Sequence, residues 1–276
     1  MTWRGVLLAW VLAGLALSGA AALLQRAAGA APPLFHGARI AVIGSSQVRY
    51  AVPKQGGSTI SLLGDGRSHY RIGLPAISEP ETLRLLRHAL DERVELVLLE
   101  GNALLYDTAP TRQRGRCDQP ARGVRVAIKQ AQLRLTDTWA RWAHKPLSTH
   151  DRADPADLDR AEPLDSTAAG RQFPLYLRDA CDLPGLIALA DRARAQGTKL
   201  VLIFPPRSAS GDRLMGTDQV LALDTAARRL TNALHAKIFE PGAPWPDDQF
   251  ASLGHVNRSG RDRFLAGLKS WMHSRI

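Results

Sequence analysis

Short apolar runs alternate with helical patterns along most of this chain. Four runs are too short for typical helices and rich in branched side chains, which is typical of buried parallel strands; they lie at residues 40–44, 96–99, 199–204 and 236–239. Apolar residues recur at helical spacing over residues 79–93, 185–196, 219–236 and 261–272. Strands that alternate with helices predict an α/β fold with a doubly wound parallel sheet.

An uncharged run of twenty residues at positions 5–24, preceded by Arg4, bears on the compartment. It is long enough to cross a bilayer and longer than the core of a typical signal peptide. Small residues at positions 27–31 also suit a signal peptidase, so an anchor and a cleaved signal both stay open, with the anchor preferred. We expect a cytoplasmic stub and transmembrane anchor at residues 1–30, and one exported domain at residues 31–276.

The formal net charge of +10 comes mostly from arginine. No recognised nucleic-acid-binding motif accompanies it, so we expect no nucleic acid; anionic lipid headgroups or an acidic polysaccharide explain it equally well. A compositional bias towards arginine is the alternative. Cys117 and Cys181 permit either one disulfide bond in an oxidising compartment or two free thiols. No Cys-x-x-Cys or His-Glu-x-x-His spacing occurs, and we expect neither a metal nor another cofactor.

Polar residues follow the first two predicted strands. The first strand ends in Gly44, Ser45 and Ser46, and a helix-compatible stretch follows. A serine at such a turn has its hydroxyl at the carboxyl edge of the sheet, among free backbone N–H groups, which suits a nucleophile with an oxyanion site. The alternative is that the serines only cap the helix. Asn102 follows the second strand and would present its amide at the same edge as an oxyanion donor.

A late loop supplies a candidate general base. His255 is followed by Asn257 and Gly260 just before the last predicted helix. The order strand-Gly-Ser-Ser, strand-Gly-Asn and His-x-Asn-x-x-Gly resembles the SGNH (GDSL-like) hydrolase superfamily over residues 38–272. More closely, it is similar to a membrane-anchored branch that includes the alginate O-acetyltransferase-like proteins and the D-alanyl lipoteichoic acid transfer proteins.

The resemblance implies a fold and a set of roles. The fold is an SGNH/flavodoxin-like three-layer sandwich. Ser46 is the nucleophile, His255 is the base, and Asn102 and the backbone N–H of Ser46 are oxyanion donors. The second sequence block of the family has its nearest match around Gly73 and Ala76, which are implied as further oxyanion donors.

One position departs from the family pattern. The family carries Asp three residues before the histidine, and this chain has Ser252 there. Without a carboxylate, the imidazolium formed during attack loses its partner. Asp248 lies in the same loop and is the candidate substitute, Asp247 is a weaker one, and a Ser-His dyad or an inactive site stays open.

A stretch at about residues 108–178 interrupts the alternation directly after the Asn102 strand, so we expect an insertion at the edge that carries the site. It is basic near its start, where Arg112, Arg114 and Arg116 lie. The functional interpretation is a lid or a binding surface in which arginines meet acidic sugars or phosphate. The alternative is a solvated, charged excursion.

The resemblance also implies a function and a location. We expect serine-dependent acyl (acetyl) transfer or ester hydrolysis on a cell-envelope polysaccharide or glycopolymer, in the periplasm or extracytoplasmic space of a bacterium, by a single-pass inner-membrane protein. The implied partners are an acyl-donor membrane protein, such as a membrane-bound O-acyltransferase, an anionic polysaccharide or glycopolymer, and the membrane. The alternative is a catalytically inactive polymer-binding or assembly subunit that kept the fold and lost the acid.

Overall fold

The computed structural model describes residues 34–53, 62, 66–74, 77, 79–107, 158–159, 176–177, 180, 182–242 and 244–276. The chain divides into the units Met1–His36 and Gly37–Ile276, and the elements below belong to the second. The apolar N-terminal run, both cysteines and the arginines of the predicted insertion lie outside the described residues. Within the described residues, no helix combines the length and the apolar character that a bilayer crossing needs.

A parallel sheet forms the centre of the second unit. The strands of the described chain are β1 (Ile40–Gly44), β2 (His69–Gly73), β3 (Leu96–Glu100), β4 (Tyr106–Asp107), β5 (Tyr176–Leu177), β6 (Lys199–Ile203), β7 (Lys237–Phe239), β8 (Phe250–Ser252) and β9 (His255–Val256). Five of them form one sheet in the order β2-β1-β3-β6-β7, with every pairing parallel. The predicted parallel sheet is confirmed; the apolar runs predict four of its strands, and β2 lies outside that pattern.

Helices cover both faces of the sheet. They are α1 (Ser46–Ala51), α2 (Glu79–Asp91), α3 (Asn102–Leu105), α4 (Leu183–Ala195), α5 (Ala209–Met215), α6 (Thr217–Leu234) and α7 (Arg258–Arg275). On one face, Val48 of α1 and Phe264 and Leu268 of α7 join alternate side chains of β1, β3 and β6 in a buried core. On the other face, α2 packs on β1, α4 packs on β6, and α6 packs on α4. The domain is therefore a three-layer α/β sandwich.

The direction of the connections reverses between β1 and β3. Strand β1 pairs with β2 on one side and with β3 on the other. Open α/β sheets bind ligands in the crevice at such a switch point, beyond the carboxyl ends of the strands. Since β1 ends at Gly44 and β3 ends at Glu100, residues 45–46 and 101–102 lie at this crevice.

Two small antiparallel ladders lie outside the main sheet. Strands β8 and β9 form a hairpin that leads directly into α7. The side chain of Asn257 accepts the backbone N–H of Gly260 at 3.0 Å and so caps α7. A Cβ at Gly260 would lie 2.2 Å from the carbonyl oxygen of Gln249, so only glycine fits there. The Asn and Gly that follow His255 in the motif therefore position the hairpin against the last helix. In the second ladder, β4 pairs with β5 at the two ends of the predicted insertion.

Candidate active site

Ser46 is the first residue of α1 and lies immediately beyond the carboxyl end of β1. The side chain of Ser45 caps the helix, because its oxygen accepts the backbone N–H of Gln47 at 3.1 Å. Gly44 lets the neighbouring strand approach closely, since a Cβ there would lie 2.4 Å from Glu100 Oε2. Serine at position 46 is thus held at the switch point of the sheet.

His255 contacts Ser46 across this crevice. Its Nε2 lies 2.9 Å from Ser46 Oγ, although 209 positions separate the two residues. Its Nδ1 lies 2.8 Å from Ser252 Oγ. In the tautomer that can act as a base, Nδ1 donates to Ser252 and Nε2 accepts from the Ser46 hydroxyl. The ring of Tyr50 packs against the imidazole, with 4.4 Å between the ring centroids.

The hairpin register puts Ser252 beside His255. These two residues are paired across β8 and β9, so their side chains are neighbours. Asp248 precedes β8 in a short 3-10 turn, and it is exposed. The carboxylate of Asp247 accepts the backbone N–H and the hydroxyl of Ser210 instead. The Ser252 hydroxyl therefore makes the Nδ1 contact for which the sequence offered Asp248 as one candidate.

Asn102 opens α3 just beyond β3, and its side chain is buried. Its Nδ2 donates to Gln47 Oε1 at 2.8 Å, so the residue after Ser46 orients the amide. An amide nitrogen carries two N–H groups, of which Gln47 takes one. The Oδ1 atom is buried and has no hydrogen-bond partner in the described structure. The sequence does not predict the part played by Gln47, because this contact forms only when β1 and β3 lie side by side.

Glu100 is a buried carboxylate beneath the nucleophile turn, with 1% of its surface exposed. Its Oε2 accepts the backbone N–H of Ser45 at 2.5 Å, and its Oε1 accepts the Ser45 hydroxyl at 2.8 Å. The backbone N–H of Val48 donates to the same carboxylate. Burial raises the pKa of Glu100 to about 7, against the opposing effect of these hydrogen bonds. Sequence reasoning missed this residue, whose only signal is a charge at the end of an apolar run.

Two buried arginines hold the other end of α1. Arg71 on β2 donates to the carbonyl oxygens of Arg49 and Val52. Arg261 on α7 donates to the carbonyl oxygens of Tyr50, at 2.6 Å, and Arg49, at 3.3 Å. These are carbonyls that a helix end leaves without intrahelical partners. Because α1 is tied to β3 at its start and to β2 and α7 at its end, the serine that opens it is fixed.

The structure covers the remaining predicted site residues only in part. Gly73 ends β2 in register with Gly44, and a Cβ there would lie 2.9 Å from the Cβ of Arg49, so the glycine allows α1 to pack closely. Its role as an oxyanion donor stays a prediction. Ala76 and the three arginines of the predicted insertion lie outside the described residues. Across the described ranges, no group of three or more His, Cys, Asp or Glu residues is arranged to hold a metal ion.

No protein-family profile and no curated protein sequence matches this chain. Among solved structures, the chain is similar to a GDSL-like lipase from Bacteroides thetaiotaomicron, at 11% identity over 91% of this chain and 96% of that chain, with a TM-score of 0.41. It is similar to an acetylxylan esterase from Geobacillus stearothermophilus, at 10% identity, 85% and 94% coverage and a TM-score of 0.42. It is also similar to a lipase/acylhydrolase from Enterococcus faecalis, at 12% identity, 86% and 96% coverage and a TM-score of 0.39.

Proposed function

We propose that this protein is a serine-dependent enzyme of the SGNH hydrolase type that acts as an esterase or an O-acyltransferase. The observation that carries the proposal is the 2.9 Å contact between Ser46 Oγ and His255 Nε2 at the switch point of the sheet. The three sequence motifs support it, because each of them supplies a polar side chain to this edge. The tethered turn of α1 supports it further, since a nucleophile needs a fixed position.

The first half-reaction forms an acyl-enzyme. Ser46 Oγ attacks the carbonyl carbon of the acyl donor while its proton moves to His255 Nε2. The oxyanion that forms accepts hydrogen bonds from the Ser46 backbone N–H and from Asn102 Nδ2. When the tetrahedral intermediate collapses, the leaving oxygen takes the proton from Nε2. The acyl group then remains on Ser46, and His255 is neutral again.

The second half-reaction moves the acyl group to its acceptor. A hydroxyl of water or of a sugar gives its proton to His255 Nε2 as it attacks the acyl carbon. The collapse of this intermediate releases Ser46, whose oxygen takes the proton back. Ser252 Oγ accepts a hydrogen bond from Nδ1–H throughout, so it orients the ring but brings no negative charge to the imidazolium.

The substrate and the setting complete the proposal. An anchor at residues 5–24 would hold the domain outside the bacterial inner membrane, beside a membrane-bound acyl donor such as an O-acyltransferase, where tethering raises the local concentration. The net charge of +10 favours an anionic envelope polysaccharide or glycopolymer as the acceptor. Arg112, Arg114 and Arg116 are its proposed contacts, and acetyl is the proposed acyl group.

Labelling with a fluorophosphonate probe tests the proposal, because the probe reacts with activated serine hydroxyls. We expect the full-length protein to be labelled, and Ser46→Ala and His255→Ala to lose the label. Ser274→Ala is the matched control: its exposed hydroxyl only binds the carbonyl oxygen of Trp271, so this variant should label like wild type. A folded wild type that neither labels nor hydrolyses p-nitrophenyl acetate would favour the inactive binding subunit.

A further inference from the structure

The backbone N–H groups at the start of α1 differ in whether they have a hydrogen-bond acceptor. A helix leaves the N–H groups of its cap and its first three residues without intrahelical acceptors. Here the N–H groups of Ser45 and Val48 bind the carboxylate of Glu100. The N–H of Gln47 binds the Ser45 hydroxyl, which in turn donates to Glu100. Within the described chain, the N–H of Ser46 is the one of these four that binds no acceptor.

We propose that Glu100 is a positioning residue that reserves the Ser46 backbone N–H for the substrate oxyanion, and that it does so in its ionised form. The inference rests on the proposed function and adds a regulation of the same site. By accepting the neighbouring donors, directly or through the Ser45 hydroxyl, the carboxylate fixes the turn and leaves one N–H without an acceptor among the described residues. That donor belongs to the nucleophile itself, where an oxyanion forms.

The ionised form matters because every group that hydrogen-bonds to Glu100 in the described structure donates to it: the N–H groups of Ser45 and Val48, and the Ser45 hydroxyl. A backbone N–H cannot reverse its role, so the oxygen that faces Ser45 N–H must accept. Protonation turns the other oxygen into a donor, which must then face the Ser45 hydroxyl. That hydroxyl loses the acceptor of its own proton and has to accept from both Glu100 and Gln47. The turn that carries Ser46 is then held by fewer and weaker hydrogen bonds.

The surroundings of Glu100 bring its titration close to neutral pH. Burial raises its pKa to about 7, and no cation binds the carboxylate in the described structure. The elements around it carry further charged or titratable groups, among them Arg49 of α1, His69 and Arg71 of β2, Lys199 of β6, His255 of β9 and Arg261 of α7. Arg71 and Arg261 bind carbonyl oxygens at the far end of α1. A fall in pH through neutrality should therefore protonate Glu100 and loosen the turn.

The pH dependence of kcat/KM separates this role from simple packing. If His255 and Glu100 must both be deprotonated, log(kcat/KM) for p-nitrophenyl acetate should fall on the acid side with a slope that approaches about 2. Glu100→Gln, which mimics the protonated form, should show a slope of about 1, because only His255 still titrates. At a pH of about 8, where wild-type Glu100 is ionised, the variant should lose about 10- to 100-fold in kcat with little change in KM.

Glu79→Gln is the matched control. Glu79 is also buried and accepts a backbone N–H, that of Asp182 at 2.7 Å, but this bond joins α2 to the start of α4. The control should keep the wild-type slope and kcat. A wild-type acid limb with a slope of about 1, or a Glu100→Gln enzyme with wild-type kcat and slope, would overturn the inference.

Nuclear magnetic resonance of the full-length protein gives a readout that needs no activity. The ¹³C signal of the Glu100 carboxyl and the amide signal of Ser46 should titrate with the same midpoint, and Glu100→Gln should abolish the shift of the amide. If the protein proves inactive while the two signals move together, the proposed function fails and the link between Glu100 and the turn stands. If the amide signal of Ser46 does not shift while the Glu100 carboxyl titrates, the inference is refuted, even where Glu100→Gln does not fold.

Discussion

The substitution Ser252→Ala measures how much the neutral hydroxyl of Ser252 contributes to catalysis by the general base His255. The Ser252 hydroxyl lies 2.8 Å from Nδ1 of His255, which is a full hydrogen bond. Such a bond contributes about 0.5–1.5 kcal/mol net, and about 1.4 kcal/mol corresponds to a tenfold change in rate. Removal of the hydroxyl should therefore lower kcat/KM about 2- to 13-fold. The loss of a triad carboxylate costs about 10⁴-fold, so the two cases are easily distinguished.

Initial rates of p-nitrophenyl acetate hydrolysis across neutral and alkaline pH provide the measurement. Asp248→Asn is the matched comparison, because the Asp248 side chain is exposed and the Nδ1 contact belongs to Ser252. We expect this variant to keep the wild-type rate. An Asp248→Asn loss of about 10²-fold or more would restore a carboxylate as the partner of His255 and refute the reasoning. A loss of about 10³-fold in Ser252→Ala would refute it too, since a neutral hydrogen bond cannot account for that effect.

Two further substitutions test the packing around the site. Tyr50→Leu should lower kcat about 2- to 13-fold, because His255 loses a ring contact that contributes about 0.5–1.5 kcal/mol. Tyr50→Phe should keep the ring contact and most of the rate. Equal rates for the two variants would contradict this prediction. Gly101→Ala should lower the melting temperature by several degrees, because the new Cβ would lie 2.1 Å from the ring of Phe204. Circular dichroism would show it, and an unchanged transition would contradict it.

The sequence pattern predicts most strands of the main sheet but not the edge strand β2. The apolar runs predict β1, β3, β6 and β7, since burial between two helical layers demands apolar side chains on both faces. Strand β2 escapes that pattern because His69 and Arg71 are polar, yet both are buried with 1% of their surface exposed. Arg71 is tolerated there only because the carbonyl oxygens at the end of α1 accept its N–H groups. These carbonyl acceptors are in place only after α1 has packed against β2, so no local sequence pattern predicts this strand.

The candidate site could likewise be predicted from the sequence only in part. The pairing of Ser46 with His255 is implied by the order of the motifs, because strand ends and the last crossover of such a sheet meet at one edge. Asp248 as the partner of His255 does not follow, since the hairpin register of β8 and β9 selects Ser252. Glu100 and its contacts with the Ser45 turn could not be predicted either. They depend on two strands that lie side by side although 55 positions separate the residues in the chain.

The ladder between β4 and β5 brings the two ends of the predicted insertion together. Tyr106 pairs with Leu177 and Asp107 with Tyr176, so the two ends of the predicted insertion lie side by side. Paired residues of antiparallel strands lie about 4.5–5.5 Å apart, a gap that a turn of a few residues spans. The number of residues between the two strands can therefore change during evolution without altering the register of the main sheet, whereas Leu158 and Asp159, which bind Arg258 at the start of α7, are tied to the domain. The length of this connection can thus diverge among descendants of this chain while the sheet that positions Ser46 is inherited intact.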